Sequence, residues 1–167
     1  CLRMTPKILI TGATGNVGSE IARQLIQKEI PFRAFARDPA KLASMIGDKG
    51  YDLAVGDFSD TVSFKAALPG IDKLFLVTNQ SDAFLADLDR MLAEIKAAGI
   101  TQLVLISAEC DTDSEIFFVR RTGEIEDRVR ASGVAFTILR PDWFMQNFIG
   151  FAAMGAIAFV DGPGKTS

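Results

Sequence analysis

The stretch ILITGATGNVG, residues 8–18, constrains the fold more than any other part of the chain. Short apolar and β-favouring residues end at Thr11, and glycines follow at 12, 15 and 18. Val17, Ile21, Leu25 and Ile26 then fall on one helical face. A strand, a tight glycine turn and an amphipathic helix in direct succession open a βαβ unit. The same alternation continues down the chain. Apolar runs predict strands over 7–11, 32–36, 53–55, 73–77, 102–106 and 135–139. Helical periodicity predicts helices over 16–27, 39–46, 60–68, 81–98 and 117–131. Runs such as LFLV and LVLI are apolar at every position, as in strands covered on both sides. The expected fold is α/β: a Rossmann-type doubly wound parallel sheet with helices on both faces.

In such a sheet the first strand-to-helix turn is where a dinucleotide pyrophosphate binds. Gly12 is suited to the tight turn, Gly15 to close approach of the phosphates, and Gly18 to close packing of helix on strand. Thr14, Asn16 and Val17 complete the loop and present the helix N-terminus to the anion. Charge at the end of the second strand bears on the cofactor. Arg37 stands there with Lys41 four residues on, which favours the 2′-phosphate of NADP(H) over NAD(H). Asp38 is the competing feature, since a carboxylate at this place takes the ribose hydroxyls of NAD(H).

Composition narrows the partners. The 167 residues, 49% apolar and 23% charged, suit one globular domain with a sizeable core. A net charge of −3 without a basic block argues against a nucleic acid. No apolar run is long enough for a membrane span, so a small molecule is the expected partner. Cys1 and Cys110 are too few for a disulfide framework, and a reduced, cytoplasmic setting is expected. Residues 1–3 lack an apolar run, so no secretory leader is expected, and Met4 is the expected natural start. The chain has no histidine, which excludes Ser-His-Asp, Cys-His and histidine-metal chemistry together.

Four motifs in order, TGATGNVG, AFARDPAKL, VGDFSD and ILRPDWFMQN, resemble the NmrA-like family of atypical short-chain dehydrogenases/reductases. That family includes NADPH-dependent quinone and dye reductases and redox-sensing regulators. The resemblance implies that Asp57 lies toward the adenine amino group and Phe58 against its ring, with core packing the competing role for Phe58. It implies that Val77, Thr78 and Asn79 pass the cofactor ribose. Ser107 ends the fifth strand, near the nicotinamide by topology, and is the candidate catalytic residue, orienting a carbonyl. Trp143, Phe144 and Asn147 are expected to line a substrate pocket, with core packing again the alternative for the two aromatics. Glu126 matches a helix glutamate of the family, or is a solvated helix charge.

Proton donors are scarce. Ordinary short-chain dehydrogenases use a Tyr-x-x-x-Lys pair; here the single tyrosine is Tyr51, with no such partner. The position where relatives place a Lys or His falls near Thr122. Arg120 and Arg121 are adjacent, suited to an anion but poor donors at neutral pH. Cys110 reads as an idle thiol. The expectation is hydride transfer from NADPH to a quinone-like or other conjugated electrophile, with water protonating the product. A non-enzymatic dinucleotide sensor that signals to a partner protein is the alternative. Residues 1–147 are expected to form the dinucleotide-binding domain. Residues 148–167 would open a substrate-side segment that longer relatives complete, so truncation is expected. The uncharged run over 148–160 predicts a homodimer or an aggregation-prone surface.

Overall fold

The computed structural model describes residues 5–79, 81–108 and 110–141. Six strands alternate with five helices: β1 (Ile8–Thr11), α1 (Asn16–Gln27), β2 (Phe32–Ala36), α2 (Pro39–Ile46), β3 (Asp52–Val55), α3 (Thr61–Ala67), β4 (Lys73–Val77), α4 (Asp82–Ala97), β5 (Gln102–Ile106), α5 (Phe117–Ala131) and β6 (Phe136–Leu139). The strands form one sheet in the order β3-β2-β1-β4-β5-β6, every neighbouring pair parallel. Chain order therefore reverses between β1 and β4. In the doubly wound arrangement the crevice outside this switch point takes the ligand.

The helices divide between the two faces. Phe64 of α3, Leu88, Met91 and Ile95 of α4 and Val129 of α5 bury the face carrying Leu9, Leu74, Leu76, Leu103 and Leu105. Ala22 of α1 with Leu42 and Ile46 of α2 cover the face carrying Ile10, Ala34 and Phe75. Adjacent strand residues point to opposite faces, so one apolar strand feeds both cores.

The differences from the sequence expectation lie at the ends of elements. Asp60 and Ser81 precede α3 and α4 instead of belonging to them. Their side chains accept the N–H groups of Val62 and Phe84, which makes them caps. Asp52 joins β3, whose register pairs it with Arg33; Arg33 Nε donates to Asp52 at 2.8 Å. LVLI is not sealed on both sides. Leu103 and Leu105 are fully buried, whereas Val104 and Ile106 are half-buried on the α1 side. Phe136 and Leu139 of β6, the last strand of the sheet among the described residues, are exposed. The expected segment 148–167, its homodimer contact, and the substrate residues Trp143, Phe144 and Asn147 lie outside the described residues.

Thr11 ties the first strand to the fourth at the switch point. It is fully buried; its hydroxyl donates to the Phe75 carbonyl and accepts from the Val77 N–H, each at 3.0 Å. Thr11→Val keeps the shape and removes both bonds, which takes a hydrogen bond from the buried Phe75 carbonyl and from the half-buried Val77 N–H. The expected loss is about 1–3 kcal/mol of stability, read by urea unfolding.

Candidate functional site

The switch point opens a crevice of about 290 Å³ along the C-terminal edge of the sheet. Gly12 and Thr14 form one side, Arg37 lies beyond β2, and Asp57 and Phe58 follow β3. Val77, Thr78 and Asn79 supply the β4 side. Eight of the residues expected to bind a cofactor thus meet in one cleft.

The glycine loop is shaped by contact. Gly12 has φ +63°, and a Cβ there would lie 2.8 Å from Val77 Cβ. A Cβ on Gly18 would lie 2.2 Å from the Gly12 carbonyl oxygen. Only hydrogen fits at either place, so α1 can begin directly against the end of β1. Gly15 is the α1 cap residue and has no side chain to cap with; the first turn carries no acidic residue. The caps of α2, α3 and α4, in contrast, are Asp38, Asp60 and Ser81, whose side chains accept backbone N–H groups. The first N–H groups of α1 are left for an anion, and the helix dipole favours one there. Asn16 and Val17 start α1, and Val17 packs onto the core beneath it.

The β2 and β3 ends carry the charge. Arg37 is mostly exposed, with Nη1 3.4 Å from Asp57 Oδ2. The Ser59 N–H and hydroxyl donate to Asp57 Oδ1 at 2.9 and 3.0 Å. The Ser59 N–H holds the Asp57 carboxyl below its ordinary range, with further help from the Ser59 hydroxyl and Arg37 against a smaller opposing effect of burial. Asp38 accepts the Lys41 N–H at 3.0 Å and caps α2. Lys41 is exposed on α2 and does not line the crevice. Phe58 lines the crevice and also packs in an aromatic cluster, its ring centroid 5.4 Å from that of Phe84 and 5.7 Å from that of Phe35.

One wall went unread in the sequence. Ser81, the cap of α4, and Ala83, Phe84 and Asp87 of its first turns also line the crevice. Asn79 Oδ1 accepts from the Ser81 N–H and hydroxyl, which turns β4 into α4 at this point. The signal available was the Asn-x-Ser spacing after an apolar strand, a turn-and-cap pattern.

A second polar cluster lies at the ends of β5 and β6. Glu126 of α5 is fully buried. Its Oε1 accepts from the Ser107 hydroxyl at 2.5 Å and from Arg140 Nε at 2.8 Å. Its Oε2 accepts from Arg140 Nη2 and Arg130 Nη2, each at 2.5 Å. Burial alone would raise the Glu126 pKa, but Arg140, Ser107 and Cys110 together lower it to about 2. Arg140 is in turn held more firmly protonated by Glu126. Burial and the neighbouring carboxylate push the Cys110 thiol up, away from the reactive thiolate. Thr122 donates to the Phe118 carbonyl and is buried, while Arg120 donates to the Ser114 carbonyl. Arg121 pairs with Asp82 and Glu124. The anion site considered for the two arginines is thus occupied by internal partners.

Residues 12–154 match the family model described as NAD(P)H-binding. The chain belongs to that family. An NAD(P)H azoreductase of Xenophilus azovorans is 35% identical over 146 residues, 87% of this chain and 51% of its own length. A (4-alkanoyl-5-oxo-2,5-dihydrofuran-3-yl)methyl phosphate reductase of Streptomyces griseus is 41% identical over 147 residues, 87% of this chain and 50% of its own length. Among solved structures, an NADPH-dependent quinone oxidoreductase of Escherichia coli complexed with NADPH superposes with TM-score 0.74 at 27% identity. The match covers 88% of this chain and 53% of that one. The chain spans about half the length of the curated relatives it matches. The six-stranded parallel sheet and the glycine loop at the β1–α1 turn accord with membership of the NAD(P)H-binding family. Among the described residues no helix is long and apolar enough to cross a membrane.

Proposed function

We propose that this chain is the NADPH-binding part of a reductase of the NmrA-like kind, with a quinone-like or other conjugated small molecule as hydride acceptor. The observation that carries the reading is the crevice itself. It joins a glycine loop, an α1 N-terminus without a side-chain cap and, at the β2 end, a mostly exposed arginine whose guanidinium lies 3.4 Å from Asp57. In this reading the α1 N–H groups hold the pyrophosphate, and Arg37 takes the 2′-phosphate. Lys41 adds positive charge one turn into α2. Asp38 Oδ1 caps α2, and Arg37, which lines the crevice where Asp38 does not, favours NADP(H) over NAD(H). Asp57 and Phe58 flank the adenine, and Val77, Thr78 and Asn79 border the ribose. Bound NADPH supplies the hydride; the chain orients it and shields it from water. Trp143, Phe144 and Asn147 are assigned to the acceptor side. Residues 1–147 form the dinucleotide unit in this reading, and 148–167 begin the substrate side.

A dinucleotide sensor is the second reading, favoured by one observation. No described group near Ser107 is poised as an acid: Glu126 is held ionised and Cys110 is protonated but reluctant to lose its proton. Hydride transfer to a quinone tolerates this, since the hydroquinone anion takes its proton from water. The test is NADPH oxidation with a panel of quinones and dyes, followed by loss of nicotinamide absorbance. Turnover supports the reductase. Cofactor binding without turnover of any acceptor supports the sensor.

A further inference from the structure

Ser107 has a direction to its hydrogen bonding that the surrounding residues impose. A hydroxyl carries one proton, and an ionised carboxylate only accepts. Glu126 Oε1, 2.5 Å away, therefore takes the Ser107 proton. Arg140 and Arg130 hold the same carboxylate from its other sides, so its position is set by three elements: α5, β6 and the end of β5. What remains on Ser107 Oγ is acceptor capacity. Orienting a substrate carbonyl would require the proton that Glu126 holds.

The topology says what such an acceptor can meet. The register pairs Val77 with Ile106, so the next residues, Thr78 and Ser107, end neighbouring strands at the same level. Thr78 lines the crevice. Arg37, Asp57 and Phe58 occupy the β2–β3 side, and the glycine loop sits at β1. A dinucleotide with its adenine on that side lays its nicotinamide across β4 toward β5, about 10 Å from β1 at ordinary strand spacing. A quinone offers only carbonyl oxygens. The nicotinamide ring carries a carboxamide, whose NH₂ is a donor.

We propose that Ser107 Oγ accepts a hydrogen bond from the nicotinamide carboxamide N–H, and that Glu126 is the positioning residue that keeps Ser107 in this acceptor state. This rests on the reading of the crevice as an NADP(H) site. Ser107 then fixes the rotation of the ring, and Glu126 acts through Ser107 without touching the cofactor.

The test compares binding of NADP⁺ with its 3-acetylpyridine analogue by calorimetry. The analogue keeps a carbonyl but replaces the NH₂ by a methyl group. Wild type should bind NADP⁺ about tenfold more tightly, the worth of one hydrogen bond. Ser107→Ala should bring the two affinities together. Glu126→Gln should shrink the preference as well, and Ser107→Ala/Glu126→Gln should show no further change, since both act on one bond. A merely structural Glu126 would weaken both ligands equally and leave their ratio intact, which would overturn its positioning role. If Glu126→Gln does not fold, Ser107→Ala with Ser107→Thr, which restores the hydroxyl and the preference, decides the matter. Equal binding of both ligands by wild type overturns the proposal alone. Binding of neither overturns the dinucleotide reading beneath it.

Discussion

Gly18→Ala is expected to lower NADPH affinity by more than about 100-fold while leaving most of the sheet folded. The added methyl carbon would stand 2.2 Å from the Gly12 carbonyl oxygen and 2.7 Å from its carbon. Backbone must move, and the Gly12 side is not the one that can yield. Gly12 is held in a left-handed conformation at φ +63°, with Val77 packed against the place where its own Cβ would be. The strain forces α1 away from the end of β1, and the N–H groups lose their aim at the pyrophosphate. Overpacking of this kind costs about 1–3 kcal/mol of stability, small enough for folding to survive. Gly15→Ala is the internal comparison. Its nearest contact would be 3.2 Å, so the loss there should be milder. Titration with NADPH beside a thermal melt separates the loop effect from global unfolding. Retained affinity in Gly18→Ala would show that the loop does not hold the phosphates.

The second large effect is expected at Arg140. Arg140→Leu leaves the buried Glu126 carboxylate with Arg130 and Ser107 but without its two-pronged partner. Removing one partner of a buried pair is worse than never having had the pair. The melting temperature should fall by about 5–10 °C. Glu126→Leu should cost less, because Arg130 and Arg140 are both about half exposed and can turn to water. The pH dependence follows from the sign of the shift. Glu126 is ionised more readily in the folded chain, at about 2, than when unfolded. Its contribution is therefore complete above the ordinary glutamate pKa and is lost as pH falls toward 2. The melting gap between wild type and Arg140→Leu should be constant above about pH 5 and close below it. A gap that persists near pH 2, or the reverse order of Glu126→Leu and Arg140→Leu, would contradict the ion-pair account.

The fold was legible because the strand and helix periods are clean and local. Asn16–Gln27, Phe32–Ala36 and Phe117–Ala131 stand where periodicity put them. Periodicity does not separate a cap from a first helical residue, so Asp60 and Ser81 were counted inside their helices. The strand-end lining of the crevice was legible for the same reason as the fold. Gly12, Arg37, Asp57 and Thr78 each follow a strand, and a parallel sheet brings all its strand ends to one edge. The wall from α4 was not legible, since Ala83, Phe84 and Asp87 fit an ordinary amphipathic helix. Glu126 was harder still. In EIEDRVR it is one charge among several on a surface-like helix. Only the fold places Arg140, fourteen positions on, against it and the Ser107 hydroxyl at the same carboxylate.

The central claim is that the β1–β4 crevice binds NADPH through the glycine loop and Arg37. It is tested most directly by titrating wild type and Arg37→Ala with NADPH and NADH, following the fluorescence of the bound nicotinamide. The account predicts that wild type prefers NADPH by at least about tenfold, the worth of one charge-assisted contact. Arg37→Ala should lose that preference and keep its affinity for NADH. Equal binding of the two cofactors by wild type would remove Arg37 from the 2′-phosphate, and binding of neither would contradict the site itself.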